Sequence, residues 1–269
     1  MKAARFDYHR PADLTAALTG LGAAGGKPLS GGQSLGPMLN LRLARPAALV
    51  DVGRLAELRR VEERADGVLY GAAITHAEIE DGAVPDPTGG ILPAIASGIA
   101  YRAVRNRGTM GGSLAHADPA ADWPTTLAAL GAIIHLTALT GPRESRVPDL
   151  IRGAFDTTLE EGEIISGIFV PRLSPDARWG YRKSCRKVGE FAEAMAAVLI
   201  DPPRNIARLV IGATETRHLV LEGRDIEDSA VLDAALAGIG IAADPARARL
   251  FRAVVADALS AAQTSHVSA

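Results

Sequence analysis

The chain has 269 residues, 48% of them hydrophobic and 22% charged, which is ordinary for a globular protein with a sizeable core. A formal net charge of -2 at pH 7 leaves no domain-scale basic excess, which argues against a general nucleic-acid binder. No apolar run approaches the roughly 20 residues that span a bilayer. The N-terminus also lacks an apolar signal core, so we expect a cytoplasmic protein without a membrane span.

The N-terminal segment predicts strands and helices around a first glycine-rich loop. Residues 3–8 are compatible with a strand, and Pro11 suits the first turn of a helix whose leucines share one face. A strand over 27–30 leads into the loop 31–34, and a helical segment over 35–42 follows. Backbone N–H groups are free at such a junction, so the loop suits a phosphate. It has neither the Walker nor the Rossmann glycine spacing, and an ordinary tight turn is an equal alternative.

The next segment carries clear signals of local structure. Residues 48–52 predict a buried strand, and Asp66-Gly67 marks a hairpin between two short strands. The spacing of Thr75 and Glu78 is that of a capping box, so a helix should begin there. This places His76 in a first helical turn, which argues against a role as a ligand or a base.

A helix of small residues over 91–100 leads into a second glycine-rich stretch, from Arg102 to Asp122. Its glycines are Gly108, Gly111 and Gly112. They permit positive φ values or close approach of the backbone, and the N–H groups of such a turn can converge on a phosphate oxygen. Its arginines are Arg102, Arg105 and Arg107. They can shape the loop, face a partner or be solvated, and we favour a structural role.

The rest of the chain predicts a mixed fold followed by a separate α+β domain. A helix over 122–130, with Asp122 near its cap, is followed by a strand over 132–139, a turn at 140–143 and a strand over 163–170. Beyond residue 173 the predicted elements are strands at 180–186, 191–200 and 205–212, then helices at 226–238 and 245–262. This order indicates an antiparallel sheet with helices on one side.

Two glycine-rich loops together suit a ligand with two phosphates. Backbone N–H groups of both loops can share the charge of a diphosphate, and hydroxyl and amide side chains add donors at Gln33, Ser34, Thr109 and Ser113. Asp118 and Asp122 are acceptors for ribityl or ribose hydroxyls. For Asp122 the alternative of a simple helix cap has equal weight.

Cys185 is the one cysteine of the chain, so an intrachain disulfide is excluded. A 2Fe-2S cluster needs about four thiolate ligands, so this chain cannot hold one by itself. The basic neighbours of Cys185 are compatible with a reactive thiol, but a lone cysteine in a strand favours an inert residue.

Motifs along the whole chain carry a specific resemblance. They are Phe6-Asp7-Tyr8, 30–35, 38–42 and 49–51, then Gly71-Ala72, Thr75-His76, 105–112 and 116–122, and finally Tyr181, Lys183, Arg186 and Ala196-Ala197. In this order they resemble the FAD-binding medium subunit of the molybdenum hydroxylases, the carbon monoxide dehydrogenase and xanthine dehydrogenase family. The resemblance implies an α+β fold: a two-subdomain FAD site of the vanillyl-alcohol oxidase type, then a C-terminal domain. The implied boundaries are 1–175, with subdomains of about 1–53 and 54–175, and 176–269.

The same resemblance implies the cofactor, its ligands and the partners. Residues 30–34 and 109–112 would bind the pyrophosphate, Asp122 would approach ribityl or ribose hydroxyls, and Ile165 and Lys183 would lie near the isoalloxazine. The full set is Leu29, Ser30, Gly31, Gly32, Gln33, Ser34, Leu35, Thr109, Gly111, Gly112, Ser113, Asp118, Asp122, Ile165 and Lys183. A small iron–sulfur subunit and a large molybdopterin subunit would complete a dimer of heterotrimers.

Three functions follow from these features. The first is an electron-transfer flavoprotein subunit that accepts electrons from a partner's 2Fe-2S clusters and delivers them through FAD to an outside acceptor. The second is a self-sufficient FAD-dependent oxidase or dehydrogenase, against which the lack of an evident substrate base counts. The third is a nucleotide-binding assembly factor without enzymatic activity.

Overall fold

A computed structural model describes residues 2–22 and 25–265, and its first part is a small parallel sheet with two helices. The elements are β1 (Asp7–His9), α1 (Leu14–Gly22), β2 (Gly26–Leu29), α2 (Leu35–Asn40) and β3 (Ala48–Asp51). β3 is the central strand and pairs in parallel with both neighbours. The apolar face predicted for the first helix is buried, because α1 packs Leu18 and Leu21 against Val50.

The second part is a five-stranded antiparallel sheet covered by helices. Its first elements are β4 (Val61–Arg64), β5 (Gly67–Gly71), α3 (His76–Glu80), α4 (Ile91–Ser97), α5 (Arg102–Arg105), α6 (Met110–His116) and α7 (Asp122–Leu130). They are followed by β6 (Ile133–Ala138), β7 (Gly141–Arg146), α8 (Val147–Leu150), the hairpin β8 (Ile151–Gly153) and β9 (Asp156–Thr157), and β10 (Ile164–Pro171). The strand order is β4-β5-β10-β6-β7. Trp123, Tyr70 and Leu127 are completely buried in the core between sheet and helices.

The third part is an antiparallel sheet in which each strand pairs with the next along the chain. Its elements are β11 (Arg178–Ser184), β12 (Ala194–Asp201), β13 (Ile206–Gly212), β14 (Leu219–Glu222), α9 (Ser229–Gly238) and α10 (Pro245–Thr264). Both helices contribute to one core cluster with β12 and β13, as predicted. The helix and sheet approach closely at Gly180, where a Cβ would lie 1.8 Å from the Ala258 carbonyl oxygen.

The other face of this third sheet packs on the second part. Ala197 of β12 and Val210 of β13 belong to the same core cluster as Trp123 and Leu127 of α7. β12 is therefore covered on both faces, which explains why its residues from Ala194 to Leu199 are all buried rather than alternating. The sequence-based boundary at residues 175 and 176 stays a prediction, and the predicted last domain extends over 266–269, outside the described residues.

Four strands were absent from the sequence-based prediction, the short hairpin strands β8 and β9 and two longer strands. Residues 140–143 were expected to form a turn, but β7 begins at Gly141 and pairs with β6 over its whole length. β14 is the other longer strand. Both are edge strands with mostly exposed or half-buried residues, so they lack the apolar alternation that identifies a strand in a sequence. Within the described ranges, no helix is long and apolar enough to cross a membrane.

Candidate cofactor site

The fold brings the two glycine-rich loops into direct contact. The Ser30 and Thr109 hydroxyl oxygens are 3.0 Å apart, although 79 positions separate them in the chain. The Arg107 Nε donates a hydrogen bond to the Gly31 carbonyl oxygen at 3.3 Å. A Cβ on Gly31 would lie 1.9 Å from the Arg107 carbonyl oxygen, so this contact requires a glycine.

The first loop supplies free backbone donors. It follows the end of β2 at Leu29, and Gly32 adopts a φ of +71°. The Gln33 side chain donates to the Gly31 carbonyl oxygen at 3.0 Å, which closes the turn. In the described part of the chain, the N–H groups of residues 32–35 have no hydrogen-bond acceptor. Ser34 precedes α2 without capping it, so these donors are available to an anion.

The second loop differs from the first, because the N–H groups of residues 110–113 are engaged within the chain. Met110 and Gly111 donate to the carbonyl oxygens of Ile74 and Ala72, at 3.2 and 3.1 Å. The next two N–H groups, of residues 112 and 113, are bound by the Thr109 hydroxyl and carbonyl oxygens at 3.1 and 3.0 Å. Of residues 109–113, only the Thr109 N–H has no acceptor in the described part of the chain, and the prediction that N–H groups of both loops bind a diphosphate stays a prediction.

In the second loop, glycine is required because the backbone is closely packed and not because it adopts a positive φ. A Cβ on Gly111 would lie 2.5 Å from the Ala72 Cβ, and one on Gly112 would lie 2.7 Å from the Thr109 Oγ1. Neither glycine has a positive φ, so of the two reasons considered from the sequence only the steric one applies. The second loop can offer a ligand the hydroxyl groups of Thr109 and Ser113.

Asp122 lies at the centre of a buried polar cluster. Its Oδ1 accepts hydrogen bonds from the Tyr181 hydroxyl at 2.7 Å and the Lys183 Nζ at 2.8 Å. The side chains of Lys183 and Asp122 are only 11% and 9% exposed. Burial, reinforced by the Asp122 carboxylate, raises the pKa of Tyr181 well above its ordinary value. The cap of α7 is Ala121 and makes no side-chain bond, so the alternative of a helix cap at Asp122 was wrong.

The arginines between the loops have structural contacts. Arg102 forms ion pairs with Asp81 and with Glu80, the latter at 2.9 Å. Arg105 binds Glu80 at 2.7 Å and donates to the carbonyl oxygens of Ile99 and Ala100, each at 3.0 Å. Together with the contact from Arg107 to the first loop, these bonds agree with the structural role favoured from the sequence.

These parts enclose a cleft of about 820 Å³, within the range of small-molecule sites. All but one of the sequence-predicted ligand residues line it: Leu29, Ser30, Gly31, Gly32, Gln33, Ser34, Leu35, Thr109, Gly111, Gly112, Ser113, Asp118, Asp122 and Ile165. Lys183 is the exception, since it contacts Asp122 from the third sheet. The free N–H groups, the hydroxyls and the volume fit a dinucleotide. Within the described ranges, no group of three or more His, Cys, Asp or Glu residues could hold a metal ion.

Sequence reasoning missed several residues of the cleft. His116 and Phe155 line it with ring centroids 5.0 Å apart, and Phe155 has a φ of +58° at the β8–β9 hairpin. His76 also lines the cleft, although its position in a first helical turn had argued against a ligand role. Motifs of the sequence include His76 and His116 but gave neither a role in the site, and Phe155 lies in no motif; all three reach the cleft through tertiary packing.

Comparisons with known proteins agree with this geometry. Residues 4–173 match the protein family described as the FAD binding domain in molybdopterin dehydrogenase. The carbon monoxide dehydrogenase medium chain of Afipia carboxidovorans is 39% identical over 202 residues, which cover 72% of this chain and 68% of that one. The 6-hydroxypseudooxynicotine dehydrogenase complex subunit alpha of Paenarthrobacter nicotinovorans is 34% identical over 250 residues, 90% of this chain and 83% of that subunit.

A solved structure supports the same relationship. Carbon monoxide dehydrogenase from Hydrogenophaga pseudoflava contains a chain that superposes with a TM-score of 0.85 at 31% identity, covering 98% of this chain and 99% of that one. The predicted α+β flavoprotein fold, the FAD cofactor and the oxidoreductase class are thereby confirmed. The chain belongs to the family of FAD-binding medium subunits of the molybdenum hydroxylases.

Proposed function

We propose that this chain is the electron-transfer subunit of a molybdenum-dependent hydroxylase or dehydrogenase. It receives electrons from 2Fe-2S clusters on a small partner and passes them through FAD to an external acceptor, while a large partner holds the molybdopterin cofactor. The full assembly is a cytoplasmic dimer of heterotrimers. The single cysteine supports the placement of the clusters on a partner, since this chain lacks the thiolate ligands that a 2Fe-2S cluster needs.

One observation carries the proposal for the cofactor. Two loops separated by 79 positions are joined at Ser30 and Thr109, and the first leaves its N–H groups without acceptors at the edge of a dinucleotide-sized cleft. The N–H groups of residues 32–35 bind the diphosphate, with the hydroxyls of Thr109 and Ser113 on its other side. A hydrogen bond to a charged group contributes roughly 1.5–3 kcal/mol, so several of them suffice without a lysine.

The remaining ligand residues orient the other parts of the dinucleotide. Asp122 accepts hydrogen bonds from ribityl or ribose hydroxyls, with its second oxygen free of the bonds to Tyr181 and Lys183. Ile165, which is 5% exposed beside a bulge in β10, provides an apolar wall for the isoalloxazine. Lys183 sets the position of Asp122 through its hydrogen bond to Oδ1. Bound FAD supplies the exchange of electrons, and the chain binds it, orients it and excludes water.

Flavin loading and partner-dependent reduction test this function. We expect the full chain to bind FAD and become yellow, and its flavin to be reduced by the organic substrate only when both partner subunits are present. Reduction by a small substrate without partners would instead favour a self-sufficient oxidase. A chain that remains colourless with excess FAD would favour the assembly factor and contradict the proposal.

A matched pair of glycine substitutions tests the site itself. Gly32→Ala strains a loop residue with a φ of +71° in the cleft, whereas Gly82→Ala strains one with a φ of +65° on an open turn. Each substitution should destabilise the fold by about 1–2 kcal/mol. Only Gly32→Ala should weaken FAD binding, by at least about tenfold, because it displaces the N–H donors. Equal FAD affinity in both variants would show that the first loop does not bind the cofactor.

A further inference from the structure

His76 lies directly beneath the second glycine-rich loop. It is the first residue of α3, which begins with the predicted capping box of Thr75 and Glu78. Its backbone N–H donates to the Gly108 carbonyl oxygen at 2.9 Å, and its side chain is almost entirely buried. A Cβ on Gly108 would lie 2.8 Å from the His76 Nε2, so the imidazole and this loop are in close contact.

Trp123 determines which imidazole nitrogen carries the proton. The Trp123 Nε1–H donates to the His76 Nδ1 at 3.0 Å. An indole nitrogen can only donate, so Nδ1 must be an acceptor and the proton of the neutral ring is on Nε2. Burial, with a smaller contribution from the positive charge of Arg105, lowers the pKa of His76 to about 4. At neutral pH the residue is therefore an uncharged imidazole with a defined donor.

That donor has no partner in the described residues and lies beside the cleft. Among the described residues, three fully enclosed side-chain atoms lack a hydrogen-bond partner, namely the Thr125 and Thr126 hydroxyl oxygens and the His218 Nε2. The His76 Nε2 is not among these atoms, so it is not fully enclosed. His76 lines the cleft, and its Nε2 lies on the side of Gly108. A fixed donor without a protein acceptor, at the edge of a ligand-sized cleft, points to a ligand atom as its acceptor.

We propose that the His76 Nε2–H donates a hydrogen bond to a phosphate oxygen of the bound dinucleotide, and that Trp123 is a positioning residue which holds the imidazole in this tautomer. The backbone N–H groups of residues 110–113 are already engaged, so the imidazole adds a donor to the Thr109 and Ser113 hydroxyls on this side of the diphosphate. This inference rests on the proposed FAD site and adds a ligand contact to it.

Three variants of the full chain, stripped of flavin, test this contact. His76→Phe keeps a planar ring without a donor, His76→Gln keeps a donor near Nε2, and Trp123→Phe keeps an aromatic ring without the indole N–H. Affinities for FAD and for ADP are measured by titration, and thermal unfolding monitors the fold. His76→Phe should weaken both ligands about 10- to 100-fold, whereas His76→Gln should stay within about threefold of the wild type.

Nitrogen-15 NMR of the wild-type chain provides a readout that does not depend on any variant. His76 should show the neutral Nε2–H tautomer, and its Nε2 signal should shift when ADP is added. In Trp123→Phe the two tautomers should mix, and ADP affinity should fall by a few fold. This spectroscopic signature separates positioning of the imidazole from a general loss of stability.

The outcomes distinguish the two proposals. A wild-type chain that binds neither FAD nor ADP overturns the cofactor site and this inference together. A wild-type chain that binds both, with unchanged affinity in His76→Phe, overturns the inference alone. An Nδ1–H tautomer, or an Nε2 signal that ADP leaves unchanged, also overturns it alone.

Discussion

The ion pair between Lys183 and Asp122 gives the sharpest prediction for stability. The two charges are 2.8 Å apart and both side chains are about nine-tenths buried, so water compensates little of the charge that is left when one partner is removed. Removing one member of a buried pair destabilises a protein by about 3–5 kcal/mol, mostly through the uncompensated charge. Lys183→Met and Asp122→Leu should each reduce the free energy of unfolding by this amount.

The double variant separates the charge effect from packing. With both charges removed, the remaining defect is the Tyr181 hydroxyl, which loses its carboxylate acceptor and should destabilise by about 1–3 kcal/mol. The double variant should therefore be more stable than either single variant, and the coupling energy should be at least about 3 kcal/mol. Arg182→Met is the matched control on the same strand, because its pair with Asp257 has side chains 60% and 58% exposed. It should change stability by less than about 1 kcal/mol.

Denaturant unfolding of the flavin-free chain measures these values, with circular dichroism and tryptophan fluorescence as independent probes of a single transition. The buried charge of Asp122 would carry no such penalty if Lys183→Met destabilised no more than Arg182→Met. The predicted coupling would be refuted if the double variant equalled the sum of the two single variants, since additivity would mean that the charges do not interact.

Three further predictions follow from the same structure. Gly31→Ala should destabilise by about 1–3 kcal/mol in the same unfolding assay, because its Cβ would lie 1.9 Å from the Arg107 carbonyl oxygen, while Gly36→Ala, with no atom within 4 Å, should be neutral. Thr109→Val removes the cap of α6 and the bond between the loops, so it should reduce stability by about 1.5–3 kcal/mol; no change would mean that neither bond forms in solution. Burial lowers the pKa of His218 from 6.5 to about 4, so its contribution to stability is present above pH 6.5 and is lost as the pH falls towards 4. His218→Phe should remove about 2 kcal/mol of the destabilisation seen between pH 7 and pH 5, and an identical pH profile would contradict this.

Local signals predicted local structure well. The capping box at Thr75 begins a helix, and Asp66-Gly67 joins β4 to β5. These features depend on neighbours within a few residues, so a sequence contains all the information they need. The edge strand β7 was missed for the converse reason, since its existence depends on pairing with β6 and not on its own composition.

In the candidate site, too, the sequence predicted some features and tertiary contacts decided others. Loop composition and motif order predicted the cofactor family, and all but one of the residues that they assigned to the site line the cleft, because these assignments depend on residue type and spacing. Which groups remain free to bind was decided by tertiary contacts, as the engaged N–H groups of the second loop and the pairing of Asp122 with Lys183 demonstrate. The bond from Trp123 to His76 joins residues 47 positions apart. Hydrogen bonding and burial between such distant residues set tautomer, charge and donor availability, and no local pattern of the sequence records them.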